Sequence, residues 1–383
     1  MTHRVRSDGT TRVRRTAALL LLVAGGAGCA GTPLLEVRTT PFAAMVEQLS
    51  EPGGFFDTDN LISNETSYLH VVGAFAPLGV RGGAYVGVGP DQNFSYIAAI
   101  RPEIAYLIDV RRDNLLHHLL FKALFSAAES RTEYLALLLG RATPAPDAGR
   151  ESWTVPRVVA FVDSLPVTPD TGAGARRLVR SRVQGFGLPL TEDDLATIDR
   201  FHRTFIVAGL DLRFTTFGRR PQPYYPTYRD LLLERDLTGA YRSFLAEEDS
   251  YRFLRILQET DRIIPVVGDL AGPHALRAIG ADIGSRGLMT SALYTSNVEF
   301  YLMGDGLFGT FAENLQTLPH DSSGVIIRSY FGTGFRGRHP QAVPGYYMTQ
   351  LLQRMDRMLE EWRAGSIRSY GDLVVRGALP LAP

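Results

Sequence analysis

Cysteine is nearly absent. The 383 residues hold a single one, Cys29, which excludes an intramolecular disulfide and a cysteine-built zinc cluster. Lysine is as scarce: of forty basic side chains only Lys122 is not arginine. Forty acidic side chains cancel the basic ones, so the chain has no net charge. That balance argues against a nucleic-acid or general polyanion binder, which would be markedly basic. No apolar run reaches the roughly 20 residues that a membrane-spanning helix needs. No His-Glu-x-x-His, Gly-x-Ser-x-Gly or Walker A sequence occurs, so no metalloprotease, serine-hydrolase elbow or P-loop is signalled. His117 and His118 are adjacent and would point about 100° apart on a helix, which does not make a shared metal site. No metal ligand set is expected.

What is present is a chain able to fold: 45% hydrophobic and 21% charged residues suit a globular protein of one large or two ordinary domains. Residues 1–31 stand apart. Five arginines between Arg4 and Arg15 precede the apolar run Ala17–Ala24 and the small residues of Gly25–Cys29. Charge, apolar run and small residues in that order read as a secretory signal. Ala27-Gly28-Cys29-Ala30 resembles the lipobox of bacterial lipoproteins, which implies a lipid anchor at Cys29 and a place in the cell envelope. A plain signal peptide of a periplasmic protein, or a misassigned start codon on a cytoplasmic one, are the alternatives.

In the remainder, 32–383, short apolar runs alternate with helical patterns. Strands are expected at 84–88, 104–108, 263–267, 288–294 and 324–330, and helices at 92–101, in a long stretch after Asp109, at 273–283 and at 311–318. Ser63 or Asn64 is a candidate cap for a helix through Tyr68–Val72, and Asp249 for one through Leu257. Residues 141–175, rich in Pro, Gly, Ala and Thr, read as a loop or excursion. Met348, Leu351, Leu352, Met355, Leu359 and Trp362 fall at helical spacing and predict one terminal amphipathic helix. Alternating strands and helices imply an α/β fold: a mainly parallel sheet with helices on both faces, interrupted by a mostly helical insertion at about 131–262.

The sharpest chemical signal is Tyr85-Val86-Gly87-Val88-Gly89-Pro90-Asp91-Gln92-Asn93, followed by Asp109 at the end of the next strand. Glycines between a strand and a helix let a ligand approach the backbone. An acid at the neighbouring strand end can accept the hydroxyls of a ribose. Gln92 stands where a dinucleotide-binding motif has its third glycine, which weakens a nicotinamide oxidoreductase reading.

This constellation resembles the Rossmann-like fold of class I S-adenosylmethionine-dependent methyltransferases, closely over 82–112 and loosely over 263–331. The resemblance implies that S-adenosyl-L-methionine is the cofactor. Gly87 and Gly89 would lie under its methionine part, Asp91 and Asn93 would also bind the cofactor, Asp109 would hold the ribose and Asp269 would lie near the adenine. Ser296 and Asn297 would face the transferred methyl group. Asn297 or Glu299 would orient the acceptor, and Glu65 or Glu299 would take its proton. Pro90 in place of a common glycine and the long insertion depart from that pattern. Ser63-Asn64-Glu65 and Ser296-Asn297-Val298-Glu299 also resemble the paired motifs of a bacterial family that brings no activity with it. The competing reading is a non-catalytic, lipid-anchored binding or structural protein whose pocket holds another small molecule.

Overall fold

The computed structural model describes residues 40–58, 60–217, 222–332 and 338–381. Residues 1–31, with the signal and lipobox expectations, lie outside them. Five buried apolar runs become the strands β1 (Ala84–Val88), β2 (Ile104–Asp109), β3 (Ile263–Val267), β4 (Thr290–Ser296) and β5 (Val325–Tyr330). They lie side by side in the order β3-β2-β1-β4-β5, all parallel. A sixth strand, β6 (Thr349–Arg354), pairs antiparallel with β5 at the edge. Helices cover both faces, and the protein has a Rossmann-like α/β fold. Burial on both faces is why these strands read as continuous apolar runs rather than alternating ones.

Strand order reverses at β1: β2 and β3 lie on one side of it and β4 on the other. A crevice therefore opens beyond the carboxyl ends of β1 and β4, the place where open α/β sheets bind ligands. Between β2 and β3 the described residues form seven α-helices, from Arg112–Ala127 to Glu248–Glu259, and add no strand to the sheet. The first of these shows the effect. The sequence gives it one apolar face, yet His117, His118, Phe121 and Phe125 on other faces are buried too. The later helices Pro169–Gln184, Glu192–Ala208 and Glu248–Glu259 pack against it and close off its solvent side.

Two local expectations are corrected. Residues 141–175 are not a loop: they include helix Val155–Ser164 and the start of helix Pro169–Gln184. Two of the prolines that suggested a loop, Pro156 and Pro169, sit in first turns, where no backbone N–H is needed, and Thr168 and Thr171 form a capping box. The terminal amphipathic run is not one helix either. Its first half is β6 and only Met355–Arg363 is helical. The adjacent leucines Leu351 and Leu352 suit either period, and pairing with the open edge of β5 decides between them.

Smaller shifts accompany these. The helix expected at 311–318 spans Phe308–Leu315 and is preceded by another, Val298–Gly304. Tyr68–Val71 is a 3-10 turn following Ser67, and the Ser63 hydroxyl instead accepts the Glu65 amide at 3.1 Å.

Candidate functional site

A cavity of about 470 Å³ lies at this crevice. The strand ends supply its floor: Val88 at the end of β1 with Gly89 after it, Ile108 and Asp109 from β2, Gly268 and Asp269 after β3, and Ser296 at the end of β4 with Asn297 after it. Residues 55–58 and 60–65, with Phe214, Thr216 and Tyr225, form further walls. These walls are tied together by an antiparallel bridge between Thr58 and Thr216, and by the Thr58 hydroxyl, which donates to the Thr215 carbonyl at 2.7 Å. Helix Val298–Gly304 contributes Val298, Tyr301 and Leu302.

Of the expected residues, Gly89, Asp109, Asp269, Asn297 and Glu65 line the cavity together, whereas Gly87, Asp91, Asn93 and Glu299 do not. Gly89 has φ +84°, so its left-handed turn needs glycine. Asn93 builds that turn from behind. Its amide nitrogen donates to the carbonyls of Val88, Gly89 and Pro90, and its oxygen accepts the Tyr85 hydroxyl at 2.7 Å. His118 Nε2 also reaches the Gly89 carbonyl, at 2.9 Å.

Gly87 is small for a packing reason rather than to admit a ligand. A Cβ there would lie 2.1 Å from Asn93 Oδ1 and 2.6 Å from the Tyr85 hydroxyl. Gly87→Ala should therefore push Asn93 off its carbonyls and cost about 1–3 kcal/mol, the usual range for overpacking. A melting temperature unchanged from the parent chain would refute that account. Asp91 sits behind the turn as well, buried, with its carboxylate accepting the Tyr228 hydroxyl at 2.7 Å. Burial pushes its pKa up to about 7, and the Tyr228 hydrogen bond opposes the shift.

Asp109 lies on the cavity wall but is not an open carboxylate. Arg111 donates to it from its backbone N–H at 2.9 Å, from Nε at 3.1 Å and from Nη2 at 2.9 Å. The remaining guanidinium nitrogen, Nη1, holds the Thr58 carbonyl at 2.9 Å, which ties the strap of residues 55–58 to the end of β2. Asp269 accepts the Ala271 amide at 2.8 Å. Its own amide, with those of His274 and Ala275, donates to the Glu51 carboxylate, so an internal acid occupies the start of helix Ala275–Ser285.

The β4 side is built around Glu65, which is 1% exposed. It accepts hydroxyls from Tyr294, at 2.6 Å, and from Ser296. Burial raises its pKa, against the lowering effect of its hydroxyl partners Ser296, Tyr294 and Ser329. Gln92, the residue at the missing third glycine, donates to the Tyr294 hydroxyl at 3.0 Å. Ser296 itself has φ +53° and Asn60, also on the wall, φ +49°. Non-glycine residues held in that region are concentrated at functional sites.

Glu299 is turned away into the protein. It forms a two-pronged ion pair with Arg328 at 2.9 Å in both prongs, with the two side chains 0% and 1% exposed. A carboxylate so committed does not reach a substrate in the cavity, which corrects the expectation for this residue.

Sequence reasoning did not find Glu51 or the aromatic walls Phe55, Phe56 and Tyr301. Among the described residues no group of three or more His, Cys, Asp or Glu is placed to hold a metal ion. No described helix is long and apolar enough to cross a membrane.

Fold and cavity together define a Rossmann-like α/β protein with a ligand-sized cavity at the point where strand order reverses. The chain matches the model of a domain of unknown function, DUF7790, over residues 61–144 and 216–374. It belongs to that family. The matched segments contain Glu65, the glycine turn, Asp109, Asp269, Ser296 and Asn297. No curated protein matches the chain.

Proposed function

We propose that the cavity binds a phosphate-free adenosyl ligand, S-adenosyl-L-methionine being the one the site suits best. The observation that supports this reading is the charge of the wall. Asp57, Glu65, Asp109, Asp269 and Asp305 line the cavity, and Arg111 is the only cationic side chain among the described lining residues. Arg111 is already neutralised by Asp109. A pyrophosphate would meet repulsion from these acids. A sulfonium meets acids and aromatic faces, the surroundings that attract organic cations.

In this reading Gly89 lies under the methionine part, and Asp269 lies near the adenine. Asp109 uses its remaining acceptor capacity for a ribose hydroxyl: Arg111 takes three of roughly four lone-pair sites. Gly87, Asp91 and Asn93 shape the turn without touching the ligand. Asn297 and Glu65 face the acceptor, and Glu65 receives its proton. Methyl transfer then depends chiefly on alignment of acceptor, methyl and sulfonium.

The second reading is a non-catalytic binding protein, held at the membrane through a lipidated Cys29 in the cell envelope. The burial of Glu299 in an ion pair favours it, because that removes one of the groups expected to serve catalysis. Titration calorimetry on the full chain with S-adenosylmethionine, its demethylated product and NAD tests the ligand class. The first two are expected to bind saturably and NAD not at all. Failure of both adenosyl compounds to bind a folded chain at millimolar concentration would remove the reading.

A further inference from the structure

We infer that Ser296 is a nucleophile for acyl transfer from a carboxylic ester, with Glu65 as its base and Asn297 as the donor to the developing oxyanion. This goes beyond the adenosyl reading and does not rest on it.

The first observation is backbone geometry. A strand (β4), a serine at φ +53° and a helix starting at Val298 follow one another without a loop. A sharp, strained strand-to-helix turn is how α/β hydrolases expose a nucleophilic serine at the top of the sheet. The sequence hides it, because the flanking positions are Tyr294 and Val298 rather than the glycines of the usual motif. Positive φ in a serine costs free energy, and it persists only where the surroundings impose it. The result here is a hydroxyl on the wall of the cavity.

The second observation is a base already in place. The Ser296 hydroxyl donates to Glu65 Oε1. Glu65 is fixed in turn by the Tyr294 hydroxyl, and Tyr294 by Gln92. A nucleophile bonded to a base that is itself oriented by a third group is the arrangement that activates a serine. Burial raises the basicity of the Glu65 carboxylate.

The third observation is Asn297. It lines the cavity on the same turn, and its side-chain oxygen lies 3.4 Å from Ser296 Oγ, so a half-turn of the amide about its last bond would bring the nitrogen donor to that place. Side-chain amides serve as oxyanion donors in acyl transfer. Val298, Tyr301 and Leu302 follow on the next helix and also line the cavity. That wall suits an apolar acyl group.

The steps balance. Ser296 Oγ bonds to the ester carbonyl carbon while its proton passes to Glu65. Collapse of the tetrahedral species breaks the bond to the alkoxy oxygen, which takes the proton from Glu65 and leaves as an alcohol. Water then attacks the acyl-serine. Its proton passes to Glu65 and on to Ser296 Oγ as the carboxylic acid departs.

The test treats the native full chain with a fluorophosphonate probe and locates the adduct by peptide mass spectrometry. A single adduct on Ser296 is expected, absent after heat denaturation. Glu65→Gln should slow its formation at least about 100-fold, the lower end for a lost general base. Ser296→Ala should abolish it. A folded chain that stays unlabelled, or labels on another residue, overturns the proposal. So does a Ser296→Ala variant that labels as the parent does. Because the adduct is mapped on the unmutated chain, a variant that fails to fold does not blunt the test. Failed adenosyl binding with successful labelling would overturn only the adenosyl reading.

Discussion

Glu299→Ala is expected to lower the unfolding free energy by about 3–5 kcal/mol, the range for removing one partner of a buried ion pair. The guanidinium of Arg328 is 1% exposed, and two of its nitrogens depend on Glu299. The third donates to Gln353, on the antiparallel edge strand. Alanine at 299 leaves a cation in the interior with one neutral partner and no route to water. The same pair also ties the helix after β4 to β5 and β6, so the loss reaches the wall of the cavity. Urea unfolding reads the effect as a lower midpoint at an unchanged slope. Glu299→Leu combined with Arg328→Met should recover most of the loss, since apolar replacement of both partners removes the uncompensated charge. A Glu299→Ala chain as stable as the parent but changed in ligand binding would reinstate Glu299 as a residue of the site.

That reversal for Glu299 shows which part of the site a sequence can display. Strand placement was legible because parallel strands buried on both faces leave an unmistakable apolar run. β1 and β3 occupy the expected residues, and β2 extends the expected run by only Asp109. From those strands the meeting of Gly89 and Asp109 at one crevice follows by topology, and both do line one cavity on parallel neighbours. Side-chain allegiance is a different matter. That Arg111 after a strand pairs with a nearby acid is a common arrangement, but which acid is settled only when the chain turns out of β2 and brings it onto Asp109. Glu299 meets its partner Arg328 across 29 positions, through the β4–β5 crossover. Glu51 caps a helix more than 200 residues away. Gly87 looked like part of a ligand cradle because a glycine left small for packing is written with the same letter as one left small for a ligand. The strain at Ser296 had no sequence signal, since serine gives no hint of a positive φ. β6 was lost because Leu351 and Leu352 fit both periods and only the unpaired edge of β5 selects one.

Asp91→Asn is expected to flatten the fall of stability with pH between about pH 4 and pH 7. Burial lifts the folded pKa of Asp91 from 3.8 to about 7. Across that window the native chain keeps a proton which the unfolded chain has released. Stability therefore declines as pH rises, and levels off above the folded pKa. Each unit of difference is worth about 1.4 kcal/mol as a ceiling, so the whole window amounts to a few kcal/mol. Glu65 is raised in the same direction, and Glu234, hydrogen-bonded to Tyr346, is pushed up to about 7. The parent slope thus contains several carboxyls, and only the difference between parent and Asp91→Asn isolates this one. Asparagine keeps an oxygen for the Tyr228 hydroxyl and never ionises, so the variant should equal the parent near pH 4 and exceed it at pH 8. Urea titrations across that range measure both ends. Equal slopes in the two chains would mean that Asp91 is ionised throughout. The Tyr228 hydrogen bond would then outweigh the cost of burial, and the acid behind the glycine turn would carry a permanent charge toward the cavity floor.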